Sequence, residues 1–233
     1  MPRLATQRIL VMDSTPNKRV PQVSHLLIPE PVVADRVDRD VLRFAKDRET
    51  QGQLVSASNA VYNGGVRDYF STDGARSTRY GEDYVELYQI YKEDNPWAPL
   101  WGTRLYLSGA VTRRSIVVSY PRSRNIWLSW FQSELRGTMI FAAEVYQRFG
   151  IGVDTLRVFS VLRGAEDLPL MVPGMLGMPV SLTPLAIEHL TLLPARERIT
   201  IRAADLRDDP NGVAEEMARI LRLRYGDSPL SMG

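Results

Sequence analysis

Arginine and tryptophan are the residue types in this chain best suited to hold a phosphorylated or aromatic ligand, and they gather in one stretch. Residues 95–133 contain all the tryptophans, Trp97, Trp101, Trp127 and Trp130, with Arg104, Arg113, Arg114, Arg122 and Arg124, and no Asp or Glu. A guanidinium presents a planar fork of donors that matches phosphate or carboxylate, and an indole offers a face for a base or a partner side chain. Such a stretch can bind nucleic acid, anchor a protein interface, or consist of core tryptophans between solvated arginines. Arg113-Arg114 and Arg122-x-Arg124 flank an expected strand at 115–120, so both pairs would form a basic ridge if they emerge along one edge.

Other chemistries find less material. The chain has no cysteine, which removes disulfides, thiolate metal sites and thiol nucleophiles. Its only imidazoles, His25 and His189, lie far apart outside any metal-ligand spacing and read as ordinary polar residues. No Gly-x-Ser-x-Gly elbow occurs, and Ser24-His25 adjacency is not a triad. Glu82-Asp83, Glu166-Asp167 and Asp208-Asp209 are paired carboxylates of the kind that bind magnesium, yet such pairs are common at helix starts and in turns. Metal-dependent nucleases set acids beside a lysine, and Lys18, Lys46 and Lys92 are the only lysines. Arginine supplies the remaining basic residues over the whole chain, which fits a base-composition bias better than a dedicated site. A formal charge of +2 leaves attraction to nucleic acid to local patches. Neither a signal peptide nor a membrane span is expected, no cofactor is implied, and cytoplasmic residence is the default.

The elements that would position these residues follow from periodicity. Residues up to Glu30, with Pro16, Pro21, Pro29 and Pro31, read as an extended arm with one short strand at 8–12. Val33, Val37, Val41 and Phe44 then recur at helical spacing behind Pro31, with interleaved Asp and Arg on the other face. Alternation at 53–62 and 66–71 around Asn63-Gly64-Gly65 predicts a hairpin. Tyr84, Leu87, Tyr88 and Tyr91 predict a helix behind an acidic first turn, and residues 95–99, with two prolines, a boundary. Strands are expected at 104–111, 115–120, 156–162 and 198–202. Residues 135–149 read as a buried helix stopped by Gly150, and 210–225 as a terminal helix with Asp209 as N-cap and Pro210 in its first turn. Between them, residues 168–180 form a loop rich in proline and carrying Met171, Met175 and Met178.

Two passages resemble proteins with a Schlafen/AlbA-like DNA-binding domain. One is Tyr69-Phe70-Ser71-Thr72-Asp73-Gly74-Ala75-Arg76-Ser77-Thr78-Arg79 with Glu82-Asp83 and Leu87-Tyr88 after it, similar to a strand, a Gly-Ala-Arg turn and an acidic helix. The other is Leu192-Leu193-Pro194 before a strand and an Asp-Pro-opened terminal helix. The resemblance implies a nucleic-acid-binding module with Arg76 and Arg79 as phosphate contacts. The glutamate, asparagine and lysine set that accompanies nuclease activity in some members is not recognisable, so the resemblance implies no catalysis here.

The sequence therefore predicts an α+β fold with a mixed or antiparallel sheet. Its N-terminal unit would span 1–95 and a C-terminal unit 96–233, unless the two form one continuous domain. The expected function is non-catalytic recognition of nucleic acid through Arg76, Arg79, Arg113, Arg114, Tyr120, Arg122, Arg124 and Trp127. A homo- or hetero-oligomeric assembly subunit is the alternative, and a metal-dependent nuclease or hydrolase the third reading; no membrane partner is expected.

Overall fold

The computed structural model describes residues 22–59, 76–89, 101–116, 125–163, 168–173, 179–182, 190–192 and 200–225. In chain order these form β1 (Gln22–Glu30), a 3-10 segment (Val41–Lys46), α1 (Arg48–Asn59), β2 (Arg76–Tyr80), β3 (Tyr84–Gln89), β4 (Trp101–Tyr106), β5 (Val111–Ile116) and β6 (Ile126–Trp127). There follow α2 (Leu128–Arg148), β7 (Thr155–Arg163), β8 (Leu170–Pro173), β9 (Pro179–Leu182), β10 (Leu190–Leu192), β11 (Thr200–Arg202), α3 (Asp205–Asp208) and α4 (Pro210–Arg224).

The fold is α+β. An antiparallel sheet runs β10-β7-β1-β5-β4-β3-β2, and β11 also pairs with β7, so two short strands share one side of that long strand. A small mixed sheet, β6-β8-β9, has its first pair parallel. The main sheet runs across residue 95: β3 pairs with β4, and β1 lies between β5 and β7.

One face of the sheet packs against α2. Phe131, Leu135, Met139, Ala142 and Val145 recur at helical spacing along α2 and are fully buried, meeting Val23, Leu27, Val111, Val158 and Leu162 from alternate strand positions. Gly150 ends the helix with φ +60, a left-handed conformation that glycine adopts without a Cβ penalty. The Tyr146 hydroxyl donates to the Gly109 carbonyl at 2.7 Å, fastening α2 to the β4–β5 turn, where Gly109 has φ +80. Burial raises the Tyr146 phenol pKa. At the C-terminus, the Asp209 carboxylate accepts from the Gly212 amide at 2.9 Å and Pro210 occupies the first turn of α4, as expected.

Several local expectations are corrected. The described end of the expected arm, Gln22–Glu30, is an inner strand: β1 draws its hydrogen bonds from β5 and β7, more than eighty residues away in sequence, which no local pattern reveals. Val33 to Phe44 does not form a continuous helix. Asp38 accepts from the Asp40 amide at 2.9 Å, turning the backbone on itself, and a 3-10 segment begins only at Val41. The strand expected at 53–62 is α1 as far as Asn59, capped by Asp47, whose carboxylate accepts from the Glu49 and Thr50 amides at 3.1 and 3.2 Å and from the Thr50 hydroxyl at 2.5 Å. Those bonds, the hydroxyl's first, hold the Asp47 pKa below the usual carboxylate range. The expected turn at Asn63-Gly64-Gly65 lies outside the described residues, as does the strand at 8–12. The tyrosine stripe as far as Tyr88 is β3, whose Val85 and Leu87 face the core while Tyr84 and Glu86 alternate with them; Tyr91 lies outside the described residues. The acidic helix implied after Arg79 is accordingly a tight turn and a strand. The strand expected at 104–111 is broken by a turn through Gly109 into the end of β4 and the start of β5; of the strand expected at 115–120, Ser115 and Ile116 close β5 and the rest lies outside the described residues. Finally, α2 starts at Leu128, seven residues earlier than expected, and β8 and β9 lie within and beyond the expected methionine loop.

Candidate functional site

The described arginines of the acid-free stretch are drawn inside. Arg113 sits within β5, on the face toward α2, in a cross-strand row with Ser160, His25 and Thr103. Its Nε donates to Glu134 Oε2 at 2.6 Å and its guanidinium reaches Oε1 at 3.4 Å, while Ser115 Oγ donates to Oε2 at 3.1 Å. Arg113 and Glu134 are both fully buried. Glu134 is the first acid after the acid-free stretch, so the helix supplies the carboxylate that the strand lacks.

His25 belongs to the same cluster. Its Nδ1 shares a hydrogen bond with Ser160 Oγ at 2.8 Å, and its ring meets Phe131 edge-on at 5.1 Å. Burial, above all, lowers its pKa from 6.5 to about 3; the Glu134 charge opposes this and Arg113 adds to it. A neutral imidazole beside an ion pair that is closed off from solvent makes this cluster structural.

On the opposite face, Glu86 lies between Arg79 and Arg104 in one row. Glu86 Oε1 is 3.2 Å from Arg104 Nε and 3.5 Å from Arg114, and Oε2 is 3.9 Å from Arg79. Arg104 also stacks over the Tyr84 ring at 4.7 Å. The absence of a side chain at Gly102 gives the Glu86 carboxylate its place, since a Cβ there would overlap Oε1. Arg104, Arg114 and Glu86 are buried, whereas the Arg79 side chain is 57% exposed.

The expected basic ridge is therefore corrected for two of its members. Arg113 and Arg114 do not flank a strand; they are inside one, and their charges face internal carboxylates that came from elsewhere in the chain. Arg79 does reach the surface, and Arg76 opens β2 opposite Gln89. Trp127, at the N-terminus of α2, is 37% exposed, while Trp130 is buried. Trp101 opens β4; Trp97, Tyr120, Arg122 and Arg124 lie outside the described residues.

A different surface combines cations with an exposed aromatic ring. The 3-10 segment and the β2–β3 turn enclose a cleft of about 220 Å³, lined by Arg39, Leu42, Arg43 and Lys46 on one wall and by Tyr80, Gly81, Glu82 and Tyr84 on the other. The Thr78 hydroxyl donates to the Ala45 carbonyl at 3.1 Å, tying the walls together. Tyr80 is 45% exposed, with the Lys46 ammonium 5.7 Å from its ring centroid; partial burial raises its phenol pKa. Arg43 pairs with Asp40 at 3.0 Å, and both are well exposed. Tyr84, also lining the cleft, lies against Gly81, where a Cβ would overlap its ring.

Sequence reasoning missed this cleft. Arg39 was on an expected solvated helix face, and Tyr80 carried no pattern of its own. The available signal was the three-residue spacing of Arg43 and Lys46, which a 3-10 segment puts on one side, with Arg39 in the turn just before it. Among the described residues, no group of three His, Asp or Glu side chains could hold a metal ion, and no helix is long and apolar enough to cross a membrane. Comparison of the chain with protein-family models, curated proteins and solved structures finds no match.

Proposed function

We propose that this protein is a non-catalytic recognition module for nucleic acid, and that the cleft between the 3-10 segment and the β2–β3 turn is its contact surface. The observation that carries this reading is an exposed tyrosine, Tyr80, set among Arg39, Arg43 and Lys46. Nucleic acid presents both parts that such a surface can hold: a base with a flat face for Tyr80, and phosphates for the cations. Lys46, on a flexible stem, can leave the ring for a phosphate as a base takes its place.

The test is fluorescence anisotropy with labelled single- and double-stranded DNA and RNA over a salt series. Binding should weaken linearly in log salt, and replacing Arg39 and Lys46 together by Ala should reduce a single-strand slope by about 1.4, two contacts at roughly 0.7 each. Tyr80→Ala should weaken binding by about 1 to 3 kcal/mol, the range for one stacked base. Absent or salt-independent binding to all four ligands refutes the reading.

A further inference from the structure

The cleft carries one group that a phosphate site would avoid, the carboxylate of Glu82. It is exposed and stands in the turn directly after Tyr80, across the cleft from Arg39, Arg43 and Lys46. The two walls thus offer opposite chemistry, donors and positive charge on the helical segment and an acceptor pair on the turn. A carboxylate is an acceptor-only group whose two oxygens match two adjacent N–H donors. At about 220 Å³ the cleft falls below the roughly 300–1,000 Å³ of sites for drug-sized molecules, so it suits one flat base and leaves the attached phosphates at the cationic wall.

Resting on the recognition reading above, we infer that the cleft takes an unpaired guanine, its ring on Tyr80, its N1–H and N2–H donating to the Glu82 carboxylate, and its flanking phosphates on Arg39 and Lys46. Guanine is the base whose Watson–Crick edge presents two neighbouring donors; adenine and cytosine present one exocyclic amine beside an acceptor that would face the carboxylate unfavourably. That edge is occupied in a duplex, so the inferred ligand is a single strand or a loop. Thymine offers one imide donor between two carbonyls, which makes oligothymidine the natural reference.

The experiment titrates the full chain with short labelled oligothymidine, with the same oligomer carrying one central guanine, adenine or cytosine, and with the guanine oligomer annealed to its complement. The guanine oligomer should bind on the order of tenfold more tightly than the others, as a bidentate base contact provides. Glu82→Gln, which offers one acceptor and one donor, should lower that preference to about threefold or less while leaving oligothymidine binding equal or tighter, because a negative charge has left the site. Equal binding of the four bases, a guanine preference that survives Glu82→Gln, or a duplex bound as tightly as the single strand overturns the guanine inference. Those outcomes leave nucleic-acid recognition standing, whereas failure of every oligomer to bind refutes the recognition reading itself.

Discussion

Glu134→Ala gives the sharpest check on the interior just described, because it asks whether Arg113 is sealed from solvent. Glu134 accepts two bonds from Arg113, at 2.6 and 3.4 Å, and one from Ser115 at 3.1 Å. Both charged partners are fully buried, so a guanidinium that loses its carboxylate keeps its charge in a low-dielectric interior that water does not reach. Breaking such a pair from one side costs about 3–5 kcal/mol, and exposed pairs about 0–1 kcal/mol. Glu216→Ala, which removes the exposed partner of Arg219 on α4, is the matched control and should change stability by less than about 1 kcal/mol. The two variants are compared by urea unfolding at neutral pH, with ΔΔG taken from the midpoints at constant m-value. A third variant, Arg113→Met with Glu134→Leu, removes both charges and should recover most of the loss, since apolar replacement of a buried pair is often neutral or stabilising. If Glu134→Ala behaves like Glu216→Ala, Arg113 reaches solvent. The enclosure of Arg113 by β5 and α2 is then refuted, and Arg113 returns to the set of surface cations.

The same cluster predicts a pH response. His25 has its pKa lowered from 6.5 to about 3, so between those values the unfolded chain binds a proton that the folded chain refuses. The resulting stability is complete above pH 6.5 and falls toward pH 3, by at most about 5 kcal/mol at roughly 1.4 kcal/mol per unit. His25→Asn should flatten that decline, most cleanly from pH 6.5 to 5 where few carboxylates titrate; parallel urea-midpoint curves for the two proteins would count against it. At Gly102, substitution by Ala puts a Cβ into the Glu86 carboxylate and disturbs its contacts with Arg104 and Arg114. A loss of about 1–3 kcal/mol is expected from this overpacking, measured by thermal unfolding against Gly52→Ala, where a Cβ meets nothing within 4 Å.

What was legible in the sequence is what depends on neighbours in the chain. The apolar periodicity of α2, the stop at Gly150, the Asp209-Pro210 opening of α4 and the apolar alternation of β7 could all be read because helix bonds close within four residues and caps act over three. The same strictly local reading misplaced β1 and β3. A strand is completed by partners that its own sequence does not name, and β3 has tyrosines that suit either period.

Charge shows the division most clearly. The amino-acid sequence determined that residues 95–133 carry arginine and tryptophan without an acid, and it presented them as one candidate surface. Only the tertiary structure decided that Arg113 meets Glu134 on a helix and that Arg104 and Arg114, from β4 and β5, share Glu86 on β3, fewer than thirty residues away in each direction. Desolvation is the physical reason: once the sheet and α2 exclude water, a buried guanidinium requires a carboxylate within hydrogen-bonding reach, and folding brings it from outside the stretch. The cations that line the cleft, Arg39, Arg43 and Lys46, lie within eight residues of one another, but only folding sets them beside Tyr80 from a strand more than thirty residues on.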